Sequence, residues 1–101
     1  MKVRHPMLRI KDNIDLEELA KFGFVCYTDE KLGYMWIYIS KLGSRIVIYE
    51  QDKFTPYGGY LVYPKRTLLL KYAHNINEDK SLDNMCKRLI KNGLVEKVDE
   101  E

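Results

Sequence analysis

The sequence predicts an α+β fold, an antiparallel (mixed-edge) sheet of four to six strands with two helices packed on one face. Three observations lead there. Residues 34–41 and 45–51 alternate with period 2 between turn-forming residues. Residues 15–22 and 81–91 carry apolar side chains at helical spacing behind good N-caps. Two helices are too few to cover both faces of a sheet, so both are expected on one.

In chain order, Met7-Leu8-Arg9-Ile10 is a short alternating strand and Lys11-Asp12-Asn13 a turn. Asp15 starts a helix, with Glu18 three positions on in a capping-box pattern and Leu16, Leu19, Ala20 and Phe22 at helical spacing. Gly23 stands where a left-handed residue would end it. Phe24–Asp29 is rich in strand formers, and Glu30-Lys31-Leu32-Gly33 reads as a hairpin loop. Tyr34–Lys41 then sends Met35, Ile37 and Ile39 one way and Tyr34, Trp36 and Tyr38 the other. Leu42-Gly43-Ser44 turns the chain, and Arg45–Gln51 puts Ile46 and Ile48 on one face, Val47 and Tyr49 on the other. This makes a three-stranded meander over 24–51. Its aliphatic set, Met35, Ile37, Ile39, Ile46 and Ile48, is expected beneath the helices.

Pro56 and Gly58-Gly59 mark 53–59 as a loop. Tyr60–Pro64 and Thr67–Tyr72 read as one or two strands, with Pro64 arguing for an edge or a bulge. Asn75–Asp79 is a polar connection. Asp79 or Ser81 caps a second helix, with the stripe Leu82, Met85, Cys86, Leu89 and Ile90. Asn92-Gly93 ends it, Leu94–Val98 is a final strand, and Asp99–Glu101 is a frayed tail. The order is β-α-β-β-β-(β-β)-α-β, and 101 residues suit one domain, 1–101.

Composition narrows the function classes. The chain is 46% hydrophobic and 32% charged with a formal net charge of +2, which announces neither disorder nor a strongly anionic partner. No apolar run nears the roughly 20 residues of a membrane span. No apolar stretch of a signal peptide follows the first basic residues. The expectation is a cytoplasmic protein with no membrane partner. Cys26 and Cys86 lack ligand spacing to each other or to His5 and His74, so both are expected as buried, reduced thiols and no cofactor is expected. There is no phosphate loop, no nucleophile elbow and no base placed beside a thiol, so nothing positive argues for an enzyme.

One feature stands out. Tyr34, Trp36, Tyr38 and Tyr49 would lie on the sheet face away from the helices, with Val47 among them and Tyr57 and Tyr60 nearby. Clustered aromatics on a sheet either stiffen its solvent face or make a contact surface. Residues 41–75 hold six Lys/Arg against two acids, among them Lys41, Arg45, Lys65 and Arg66, a mildly basic rim. The candidate partner-binding residues are therefore Tyr34, Trp36, Tyr38, Tyr49, Arg45, Lys41, Lys65 and Arg66. Three uses follow: a protein contact, a stacking platform for single-stranded nucleic acid, or a homodimer interface.

Ile10–Phe24, running Ile-Lys-Asp-Asn-Ile-Asp-Leu-Glu-Glu-Leu-Ala-Lys-Phe-Gly-Phe, and Leu89–Val98, running Leu-Ile-Lys-Asn-Gly-Leu-Val-Glu-Lys-Val, carry a resemblance. They resemble a group of small uncharacterised phage and prophage proteins of low-GC Gram-positive bacteria. The matching residues are caps, turn glycines and core positions, and they imply no active site. The resemblance implies a viral context. A small non-enzymatic protein there acts by binding a host or phage protein, for example as an inhibitor of host antiviral defence such as a CRISPR nuclease.

Overall fold

The computed structural model describes residues 7–31 and 33–98. His5 and the tail 99–101 lie outside the described residues. The elements are β1 (Leu8–Ile10), a 3-10 helix (Leu16–Phe22), β2 (Val25–Asp29), β3 (Gly33–Ile39), β4 (Arg45–Tyr49), β5 (Lys53–Phe54), β6 (Leu61–Tyr63), β7 (Leu69–Lys71), α1 (Lys80–Lys91) and β8 (Val95–Lys97). The fold is α+β with antiparallel sheets and two helices, in roughly the order read from the sequence, with the short β5 added.

The first helix ends as its caps dictate. The Asp15 carboxylate accepts the Glu17 N–H at 2.9 Å, and Gly23, at φ 97°, donates its N–H to Ala20 O. Glu18 reaches Lys21 at 2.9 Å instead of turning back to Asp15, so the capping box is only half made. In α1, Asp79 is the N-cap, accepting the Ser81 N–H at 2.9 Å.

Four strands form one antiparallel sheet in the order β2-β3-β4-β7, while β1 pairs with β8 and β5 with β6. β1 is tied to the stretch before β7 by Ile10 N–H to Arg66 O at 2.9 Å and Leu68 N–H to Leu8 O at 2.8 Å. At its other side it meets β8, and the Val98 N–H reaches Met7 O at 2.8 Å.

The register decides which face is inside. Trp36 stands opposite Cys26 and Ile48, and Tyr38 opposite Ile46. Trp36, Ile46 and Ile48 are buried in one cluster with Leu16 and Leu19 of the 3-10 helix and Leu82, Met85 and Leu89 of α1, and Tyr38 packs against it. Both helices therefore share one face, as expected. The side of β3 they cover is the reverse of the expectation. Trp36 and Tyr38 point inward, and Met35, Ile37 and Ile39 point away, with Ile39 54% exposed. The physical reason is size. A ring buries more apolar area than Ile or Met, and the Trp36 indole N–H still reaches Glu50 Oε1 at 3.3 Å at the margin of the core.

Two smaller expectations are also corrected. Residues 53–59 are not wholly a loop, because Lys53–Phe54 pair with Leu61–Tyr63 and the Pro56/Gly58-Gly59 segment forms the hairpin tip. Cys26 is exposed on β2 and only Cys86 is partly buried, and both are free thiols. Among the described residues no helix is long and apolar enough to cross a membrane.

Candidate protein-binding face

The sheet face turned away from the helices is set by alternation and cross-strand register. β2 supplies Val25 and Tyr27, β3 Met35, Ile37 and Ile39, β4 Arg45, Val47 and Tyr49, and β7 Leu69 and Lys71. Val47 and Leu69 lie in its middle, buried yet outside the helix-side core cluster. Around them Val25 is 53%, Tyr27 45% and Ile39 54% exposed. This outer face is thus apolar at its centre and still exposed toward β2 and the β3–β4 turn.

Charge sits at one end. Arg45 and Lys71 are direct cross-strand partners, and both are exposed. Like charges placed opposite each other repel. At the other end the Lys53 ammonium lies 4.5 Å from the centre of the Tyr49 ring.

That contact leads into the β5–β6 hairpin. Its base is fastened by Lys65 N–H to Asp52 Oδ1 at 2.6 Å and Arg66 N–H to Tyr49 O at 2.8 Å. Its tip is fastened by Thr55, whose hydroxyl donates to Tyr57 O at 2.8 Å and accepts the Tyr60 N–H at 3.2 Å. Gly58 and Gly59, at φ 90° and 69°, allow the chain to turn there. The hairpin is thus locally ordered, yet Phe54, Tyr57, Tyr60 and Leu61 are 57%, 87%, 75% and 52% exposed.

The residues expected to bind a partner divide into three groups. Tyr49 and Arg45 lie on the outer face. Tyr34, Trp36 and Tyr38 lie on the helix side: Trp36 is in the core, the Tyr38 ring sits 5.7 Å from that of Phe24, and Tyr34 is 52% exposed at the strand end. The contact face expected from these three is therefore corrected, because the helices already occupy that side. Lys41 is exposed in the β3–β4 turn and Lys65 at the hairpin base, apart from the outer face. Arg66 is half-buried and structural. It adopts φ 69° and its guanidinium donates to Lys11 O at 2.7 Å and Ile14 O at 2.8 Å. What sequence reasoning missed is the set Val25, Tyr27, Met35, Ile37, Ile39, Phe54 and Leu61. The available signal was that both faces of β3 are apolar.

The thiols are not activated. Burial pushes the Cys86 thiol up, and the neighbouring Asp83 adds to it. Cys26, although exposed, is raised as well, by partial desolvation of its sulfur and then by Glu50 and Glu17. Among the described residues no group of three His, Cys, Asp or Glu side chains could hold a metal ion. Comparison with protein-family models, curated proteins and solved structures finds no match to this chain.

Proposed function

We propose that this protein acts by binding another protein, with the outer sheet face and the β5–β6 hairpin as its contact surface. One observation carries the reading. A fastened hairpin holds Tyr57 and Tyr60 at 87% and 75% exposure next to an apolar sheet face, an arrangement that a surface without a partner rarely keeps. Tyr side chains bring large contact area at low entropic cost, which is why they recur at binding hot spots. The Arg45–Lys71 pair adds that the partner carries an acidic group, since a carboxylate there would relieve the repulsion. The resemblance to phage proteins supports a host or phage protein as the partner, with inhibition of a host defence protein as one such role.

The reading is tested with purified wild type, a Tyr57→Ser/Tyr60→Ser double variant and an Ile90→Asn control, used to capture partners from host lysate. Ile90 is exposed on α1, on the opposite side of the sheet. The double variant is expected to lose the captured partner while its stability stays within about 0.5 kcal/mol of wild type, as for exposed sites. Ile90→Asn should retain the partner. Equal capture by all three proteins defeats the proposal.

Arg45, Lys71 and the Lys53–Tyr49 stack also fit a nucleic-acid strand. The aliphatic majority of the face favours protein. A mobility shift with mixed-sequence single strands that weakens steeply with salt would favour nucleic acid instead.

A further inference from the structure

The backbone at the sheet edge has a polarity that follows from the register. Glu50 N–H donates to Tyr34 O at 3.1 Å and Ser40 N–H to Ser44 O at 2.8 Å. The even-numbered residues of β3 therefore turn their backbone groups toward β4, and the odd-numbered ones toward β2. Ile37, Met35 and Gly33 pair with Val25, Tyr27 and Asp29, so those three are the ladder residues of β2. Cys26 and Thr28 consequently turn their N–H and C=O groups outward. Phe24 has the same parity, and its N–H is taken by Leu19 O at 3.2 Å. Among the described residues no partner meets the backbone of Cys26 or Thr28.

Such an edge is normally guarded by lysine, proline, a bulge or shortness. β8 is short and charged, with Glu96 and Lys97 in its three residues. β2 has five residues, all exposed, no lysine or proline, and an unbroken ladder with β3.

We propose that β2 pairs antiparallel with β2 of a second copy, joining the two four-stranded sheets into one across a two-fold axis. The outward groups choose the register. Only pairing Cys26 with Thr28 of the second copy keeps all five residues matched and lets both outward residues of each strand exchange hydrogen bonds. Tyr27 then meets its own counterpart on the axis, on the outer face. This self-complementarity in backbone and register is what favours a second copy over a foreign strand. The proposal is independent of the outer-face reading, although the joined sheet would double that face.

The test is the mass of the full chain in solution over a concentration series. Wild type is expected to double its mass as concentration rises. Tyr27→Cys is expected to form a covalent dimer on mild oxidation, because Cβ atoms in such a pair lie about 4.5–5.5 Å apart. Ile39→Cys, exposed on the same face at the far end of β3, is expected not to. Tyr27→Lys sets like charges on the axis and should remain monomeric, while mixing Tyr27→Lys with Tyr27→Glu should restore a 1:1 dimer. Thr28→Pro removes an outward N–H and leaves the ladder with β3 intact, so it too should be monomeric. If Thr28→Pro fails to fold, the Lys/Glu mixture decides the matter. A wild type monomeric throughout, or a dimer that survives Tyr27→Lys in a folded protein, overturns the proposal. Tyr57→Ser/Tyr60→Ser should dimerise normally, so a failed hairpin function and a failed edge pairing are told apart.

Discussion

Trp36 shows how one side chain settles the sidedness of a sheet. Only 7% of it is exposed, and it stands between Cys26 and Ile48 while its N–H finds Glu50 at 3.3 Å. Trp36→Ala should cost about 3–5 kcal/mol in chemical denaturation, the range for deleting a buried large aromatic. Trp36→Phe keeps most of the volume and loses the N–H, so it should cost under about 1.5 kcal/mol. An unchanged midpoint for Trp36→Ala would contradict the core placement. Arg66 makes the same point for charge. Residue type alone assigned it to a basic rim, whereas its guanidinium holds the 11–14 turn through two backbone carbonyls. Nothing local announces such a role, because it depends on chain segments more than fifty residues apart being brought together by the β1 pairing.

Elements that meet through a shared carboxylate are coupled to pH. Asp79 caps α1 and also reaches the β3–β4 turn, where the Ser40 hydroxyl donates to it at 2.5 Å. The Ser40 hydroxyl accepts the Ser44 N–H at 3.1 Å, and the Ser44 hydroxyl accepts the Ala73 N–H at 2.9 Å. The Ser40 hydroxyl, and after it the Ser81 N–H, hold the Asp79 carboxyl below the ordinary aspartate range. A carboxyl lowered in the folded state stabilises the protein fully above its unfolded pKa of about 3.9 and loses that contribution as pH falls through the lower folded value. Asp79→Asn should therefore unfold more easily at neutral pH and show a flatter loss of stability on acidification, measured by denaturant titrations from neutral to acid pH. A variant with the wild-type acid slope would refute the link. The elements themselves were legible because their signals are local: Asp15, Gly23, Asp79 and Asn92-Gly93 bound the helices, and alternation marks β3 and β4. Which face lay inside was not legible from hydropathy, since Met35, Ile37 and Ile39 rival Trp36 and Tyr38 as core candidates. The Ser40–Ser44 turn held the better clue: closed by Ser40 N–H to Ser44 O, it pairs Tyr38 with Ile46, so Met35 and Ile37 could not share a face with Ile46 and Ile48. The hairpin was half legible, since the strand reading of Tyr60–Pro64 covers β6, while Pro56 and the two glycines masked its first arm, Lys53–Phe54.

At the scale of the molecule, the protein is a sheet with one face sealed by helices and the other left apolar and continued by a hairpin. The proposed binding surface was only partly legible: Tyr49 and Arg45 were identified, while Met35, Ile37 and Ile39 had been assigned to the core. The β1–β8 pairing has a separate consequence. Residues 7 and 98 are joined by a hydrogen bond of 2.8 Å, so the described chain is nearly a closed ring. A short glycine-serine link there, with the chain opened between Gly58 and Gly59, gives a circular permutant whose new ends fall at an exposed tip. It should fold to the same circular-dichroism spectrum. Its folding rate in stopped-flow Trp36 fluorescence should stay near that of wild type, because the β1–β8 pairing becomes local while β4–β7 and β5–β6 become distant. The meeting of the first and last strands is therefore a seam: the fold is set by which strands touch, and the order in which the chain visits them can be rewired there without disturbing it.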